Sequence, residues 1–128
     1  MPVRKPLIDL PSERDPRSFL PLTPLTFQVL LSLADEERHG YGIIRQVQDG
    51  TDGLIQLRTG TLYTLLQRLL DEGLVEESDV RPDVGDDERR RYYRLTAFGR
   101  TVVSAEARRL ESLIVDARRK RLLGRVKA

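Results

Sequence analysis

Between residues 61 and 78 the hydrophobic period of the chain changes once, and that change narrows the folds open to it. Leu62, Leu65, Leu66, Leu69 and Leu70 recur at the 3.6-residue spacing of one helix face. Gly73 stops that helix, and Leu74-Val75-Glu76-Glu77-Ser78 reads as a strand. The stretch 79–88 carries Pro82, Gly85, Asp79, Asp83, Asp86, Asp87 and Glu88, an acidic tip. Arg89–Leu95 (RRRYYRL) is then the return strand of a hairpin.

Two shorter helices precede this unit. Thr23-Pro24 is a helix start, with Thr as N-cap and Pro at the first helical position. Leu25, Val29, Leu30 and Leu33 follow at helical spacing to about Ala34. After the polar turn DEERHG (35–40), a second helix runs from about Tyr41 to Gln48 on Ile43, Ile44 and Val47. Thr59-Gly60-Thr61 opens the third. Thr96 caps a fourth, from about Ala97 to about Leu123, with Phe98, Val102, Ala105, Leu110, Leu113, Ile114 and Ala117 on its apolar face. About 27 residues of helix span ~40 Å, longer than the small domain before it. Part of that stripe must meet something else, most simply a second copy of the chain.

The fold class is therefore mainly α with a small β-hairpin (α+β). A winged helix-turn-helix occupies residues 23–95, a dimerisation helix 96–123 and a tail 124–128. Residues 1–22 carry a proline every four or five positions, which breaks helix and removes ladder donors, so they read as an extended or disordered arm.

Charge is distributed unevenly. Residues 89–128 hold thirteen Lys and Arg against three Asp and Glu, a net of +10; residues 1–88 hold nine against seventeen, a net of −8. Nineteen of the 22 basic residues are Arg, whose planar fork suits phosphate and guanine edges. In a winged helix-turn-helix the recognition helix enters the major groove and the hairpin touches the backbone. With the leucines of the third helix inward, Thr61, Tyr63, Thr64, Gln67 and Arg68 lie outward or on its flanks. Hydroxyls near the helix start can meet phosphate at the positive dipole end. Gln67 can address adenine, and Arg68 guanine or phosphate. On the return strand Arg90, Arg91 and Arg94 supply cations. Alternation places Tyr93 with Leu95 on one face and Tyr92 with Arg94 on the other, so one tyrosine is core and the other can stack or contact a backbone, with Tyr92 the contact candidate.

Other chemistry is thinly represented. The chain has no cysteine, which excludes disulfides, zinc-thiolate sites and thiol catalysis and suits a reducing cytosol. No paired carboxylates, nucleophile–base pair or metal set stands at useful spacing, so no enzyme activity, cofactor or metal is expected. His39, the only histidine, reads as a structural hydrogen-bonding residue. Gly40-Tyr41-Gly42 lacks the third glycine and preceding strand of a dinucleotide loop. The Arg118-Arg119-Lys120-Arg121 run complements the negative end of the last helix. No apolar run approaches the ~20 residues of a membrane span, and the first residues lack the apolar core of a signal peptide, so a cytoplasmic protein without a membrane partner is expected. The alternative class, a winged-helix protein-interaction module without DNA binding, would present an acidic or apolar face on the third helix. Thr61, Thr64, Gln67 and Arg68 argue against it; Asp71 and Glu72 soften that argument.

The segments HGYGIIRQV (39–47), RTGTLYTLLQRLLDEGLVEE (58–77) and RRRYYRLTAFGR (89–100) resemble the PadR family of bacterial transcriptional regulators. GTLY (60–63) and YYRLT (92–96) are the most specific pieces, and the match covers about residues 22–123. The single long C-terminal helix is similar to the short subfamily, whose dimer is formed by that helix and the first. The resemblance implies a homodimeric repressor on a double-stranded DNA operator of two half-sites, often released by a small-molecule effector. It places Leu25, Val29, Phe98, Val102, Leu110, Leu113, Ile114 and Ala117 as interface candidates. Where the family commonly reads Ser-Pro before GTLY, this chain has Arg58-Thr59. Thr59 can still cap the helix, and Arg58 adds a phosphate contact.

Overall fold

The stop at Gly73 sets the centre of the molecule. Gly73 has φ 77°, a left-handed conformation that glycine adopts without steric cost. Its N–H donates to the Leu70 carbonyl at 3.1 Å, and the Leu74 N–H donates to the Leu69 carbonyl at 3.0 Å, a pairing that satisfies the last orphan carbonyls of the helix. The chain then turns directly into a strand. The computed structural model describes residues 14–78 and 91–124. Its elements are α1 (Pro24–Ser32), β1 (Arg38–His39), α2 (Gly40–Gly50), α3 (Thr59–Asp71), β2 (Val75–Ser78), β3 (Tyr92–Leu95) and α4 (Ala97–Arg119). The three strands form one antiparallel sheet in the order β1-β3-β2. The acidic tip expected over 79–88, together with Arg89 and Arg90, lies outside the described residues.

Local side-chain caps start three of the four α-helices. Thr23 accepts from the Thr26 N–H with Pro24 behind it, and Thr96 accepts from the Gly99 N–H at 2.9 Å. His39 does the same for α2: its Nδ1 accepts from the Gly42 N–H at 3.1 Å, the structural role expected of it. Helix α3 differs from expectation. Arg58, not Thr59, occupies its N-cap, no side chain caps it, and Thr59 is already in the helix. Helix α4 ends at Arg119 rather than near Leu123, and Arg121 takes φ 63° just beyond.

The core joins the four α-helices, β2 and β3. Leu30, Ile43, Val47, Leu62, Leu66, Leu69, Leu74, Val75 and Val102 are buried together, the leucine stripe of α3 in the middle. The inward face of α4 covers one side through Val102, Val103 and Glu106. No residue after Glu106 is buried among those described.

The amino-terminal arm is corrected in part. Residues 14–22 are not an extended or disordered tail. Pro16–Phe19 form one turn of 3-10 helix, started by Asp15, and the segment docks on α4. Phe19 meets Phe98 edge to face at 5.6 Å, and the Arg14 guanidinium lies over both rings, 4.6 Å from the Phe98 centroid. Proline frequency forbids a long helix but not a docked single turn, and the ring contacts that fix this one are not local in sequence. Residues 1–13 lie outside the described residues.

A buried carboxylate holds the same junction. Glu106 is 1% exposed; it accepts from the Leu22 N–H at 3.0 Å and from the Arg109 guanidinium at 2.6 and 3.0 Å. The Arg109 hydrogen bond, helped by the Leu22 N–H and opposed by burial, holds its carboxyl below the ordinary range. A folded-state value depressed in this way adds stability above the unfolded value of about 4.3 and loses it as pH falls through the folded one. Glu106→Gln should therefore cost about 1–2 kcal/mol at neutral pH, less than a fully buried pair because Arg109 is partly solvated. Urea unfolding of both proteins across pH should show that difference closing below about pH 4; a constant difference would rule out the charge as its source.

Candidate nucleic-acid interface

Helix α3 buries one face and exposes the other, and the exposed face carries the residues singled out in the sequence. Arg58, Thr59, Thr61, Tyr63, Thr64, Gln67 and Arg68 are all exposed. With no side-chain cap, the first N–H groups of α3 are left without a side-chain acceptor beside Arg58, an exposed cationic group with no ion pair among the described residues. That end offers donors and positive potential together.

The face divides into two flanks. Thr61, Thr64 and Arg68 look toward the start of α1 and line, with Leu25, Thr26 and Leu65, an open cleft of about 680 Å³. Arg68 is tethered there, donating to the Thr26 hydroxyl at 3.1 Å. Gln67 is folded back on the helix, its amide donating to Asp71 at 3.0 Å. Both would have to exchange an intramolecular partner for a base or phosphate. On the other flank the Tyr63 ring lies against Gly40 at the start of α2; a Cβ on Gly40 would overlap its hydroxyl, so the two helices cross closely there.

Sequence reasoning missed part of this surface. Tyr41 is 61% exposed on the first turn of α2, and the Arg45 guanidinium stands 5.9 Å from its ring centroid. The signal was present as an aromatic and an Arg four residues apart on the polar side of α2.

The hairpin departs furthest from expectation. Tyr92 is not an outward contact residue: it is 3% exposed, because β1 adds a third strand and the His39 ring packs edge-on against it at 5.2 Å. Tyr93 is buried as well, and that burial pushes its phenol up. Arg94 and Arg91 reach the surface, but each is paired. Register sets Arg94 opposite Glu76, which accepts from it at 2.8 Å, and Glu37 stands 3.6 Å away. The Glu76 hydrogen bond raises the Arg94 pKa further. Arg91 donates to Glu77 at 3.0 Å. Arg90 lies outside the described residues.

The interface candidates divide as well. Val29 and Val102 are 0% exposed within the single chain, so they are core residues and not contacts for a second copy. Leu25, Phe98, Leu110 and Ala117 are partly covered, Phe98 by Phe19. Leu113 and Ile114 stand 53% and 48% exposed on α4. Among the described residues no three His, Asp or Glu side chains converge as a metal site, and no helix is long and apolar enough to cross a membrane.

Three helices, a three-stranded wing sheet and a long trailing helix, with an uncapped polar helix facing outward, define a winged-helix protein. Residues 29–105 match the model of the transcriptional regulator PadR-like family, and the chain belongs to that family, whose members are transcription regulators rather than enzymes. A protein of Lysinibacillus sphaericus is 32% identical over 76 residues, 59% of this chain and 68% of that one. Among solved structures, a PadR family transcription regulator from Clostridium difficile R20291 superposes with TM-score 0.64 at 21% identity, over 76% of this chain and 97% of that chain. RosR of H. salinarum matches with TM-score 0.54 at 26% identity, over 80% and 98%. Bacillus subtilis PadR in complex with operator DNA matches with TM-score 0.55 at 22% identity, over 65% of this chain and 46% of that chain.

Proposed function

We propose that this chain is a cytoplasmic, sequence-specific DNA-binding regulator that acts as a homodimer and represses by covering a promoter. The exposed polar face of α3, starting at an uncapped N-terminus beside Arg58, is the observation that carries the reading. The B. subtilis relative captured on operator DNA supports it. In this reading α3 lies in the major groove. Thr61, Thr64, Gln67 and Arg68 meet base edges, while Arg58, Thr59, Tyr41 and Arg45 meet the flanking phosphates. The exposed apolar stripe of α4, together with α1, joins two copies so that their α3 helices face successive major grooves, about 34 Å apart. A small-molecule effector would act by favouring a dimer whose α3 helices are set wrongly for the operator.

The test is fluorescence anisotropy against the DNA upstream of the protein's own gene and a scrambled duplex of equal length, across a salt series. Tight, salt-dependent preference for the native duplex is expected. Absence of binding to either duplex at low salt would move the protein to the interaction-module class. Arg58→Ala should weaken binding to both duplexes alike and flatten the salt slope by about 1, as loss of one phosphate contact does. An unchanged slope would remove Arg58 from the interface.

A further inference from the structure

Three carboxylates surround the two arginines of the wing base. Glu76 and Glu37 flank Arg94 at 2.8 and 3.6 Å, and Glu77 holds Arg91 through contacts of 3.0 and 3.3 Å to its two oxygens. Glu37 is itself fixed by the Ser78 hydroxyl, which donates to it. The described part of the hairpin is therefore not a cationic patch. A carboxylate presents an arginine with the same planar pair of acceptor oxygens that a phosphate does. We infer that Glu76 and Glu77 are positioning residues that set DNA specificity: they occupy Arg94 and Arg91 as internal phosphate mimics and release them only to a backbone phosphate held in register by α3. This rests on the DNA-binding reading above.

The energetics suit such an exchange. Arg91 is 67% exposed and Glu77 45%; Arg94 is 43% and Glu76 48%. Pairs this exposed hold their partners by a factor of about five or less. A phosphate fixed by other contacts displaces a carboxylate from such a pair. A phosphate on a loosely docked, wrong duplex does not repay both the exchange and the approach of freed carboxylates to the DNA. Since non-specific affinity is almost wholly electrostatic, masking two arginines lowers it more than it lowers operator binding.

The measurement is anisotropy with a random-sequence duplex and the upstream duplex, on the wild type, Glu76→Gln, Glu77→Gln and the double variant. These changes keep side-chain size on an exposed surface, and a thermal melt checks the fold. The double variant should bind the random duplex about tenfold more tightly at low salt, with a slope steeper by 1 to 2, and its preference for the upstream duplex should fall. Arg91→Gln supplies the control that separates masking from a general change in charge. In that background Glu77→Gln should gain only the relief of a carboxylate's repulsion, clearly less than it gains with Arg91 present. Equal random-duplex affinity and slope in all four proteins would overturn the inference while leaving the regulator reading intact. A Glu77→Gln gain as large without Arg91 as with it would overturn it too. If no protein of the set binds any duplex, both readings fall together.

Discussion

Replacing Gly99 with alanine is expected to destabilise the protein by about 3 kcal/mol or more, against the direction helix propensity gives. Gly99 sits in the first turn of α4, where alanine would normally gain about 1 kcal/mol over glycine. Here a Cβ would overlap the Leu74 carbonyl oxygen and stand 2.8 Å from the Leu74 carbonyl carbon and 3.1 Å from its Cα. These are backbone atoms, so no rotamer change relieves the overlap. Leu74 is itself buried between α3 and β2. Moving α4 away would also break the bond from the Thr96 N–H to the Leu74 carbonyl at 3.1 Å and that from the Thr96 hydroxyl to the Gly73 carbonyl at 2.6 Å. Overpacking a core costs about 1–3 kcal/mol where side chains can yield, and two opposed backbones yield less. Against a total stability of about 5–15 kcal/mol, the variant should unfold at markedly lower urea or temperature. Gly60→Ala is the matched control, in the first turn of α3 with no atom within 4 Å of the added Cβ, and should hold or gain stability. A Gly99→Ala protein as stable as the wild type would mean that α4 does not approach the Leu74 backbone this closely.

The same junction shows what could be read from sequence. The leucine stripe of α3, its stop at Gly73, the strand after it and the caps at Thr23 and Thr96 are local patterns, each with a backbone reason, and each appears where expected. What escaped was non-local. Strand β1 is two residues long inside a polar turn, too short to show a period, yet it buries Tyr92 and so removes a residue from the contact surface. The charge of Arg91 and Arg94 was legible, but their neutralisation depends on the β2–β3 register that sets Glu76 against Arg94. A helical wheel likewise gives an apolar face without its partner. Val102 and Leu113 share the α4 stripe, and only packing separates the one that meets the core from the one left outside.

That separation makes the dimer testable through one residue. Leu113 lies beyond Glu106, the last buried position of α4, and is 53% exposed, so an aspartate there costs the single chain little. Across the proposed two-fold interface the same change would bury two carboxylates in an apolar seam, each desolvated at a cost of several kcal/mol. Leu113→Asp should then raise the dimer dissociation constant by about three orders of magnitude or more while the helical circular dichroism signal stays unchanged. Sedimentation velocity over a concentration series reads the first and a thermal melt guards the second. Operator affinity should fall with the dimer, because a lone protomer engages one half-site. Val115→Asp is the control: Val115 is 55% exposed, nearly as open as Leu113, but it lies on the opposite side of α4 beside Glu111, Asp116 and Arg119. It should leave the dimer in place. If Leu113→Asp sediments as an intact dimer, the seam is elsewhere, and Leu31, 44% exposed on α1, becomes the position to change next.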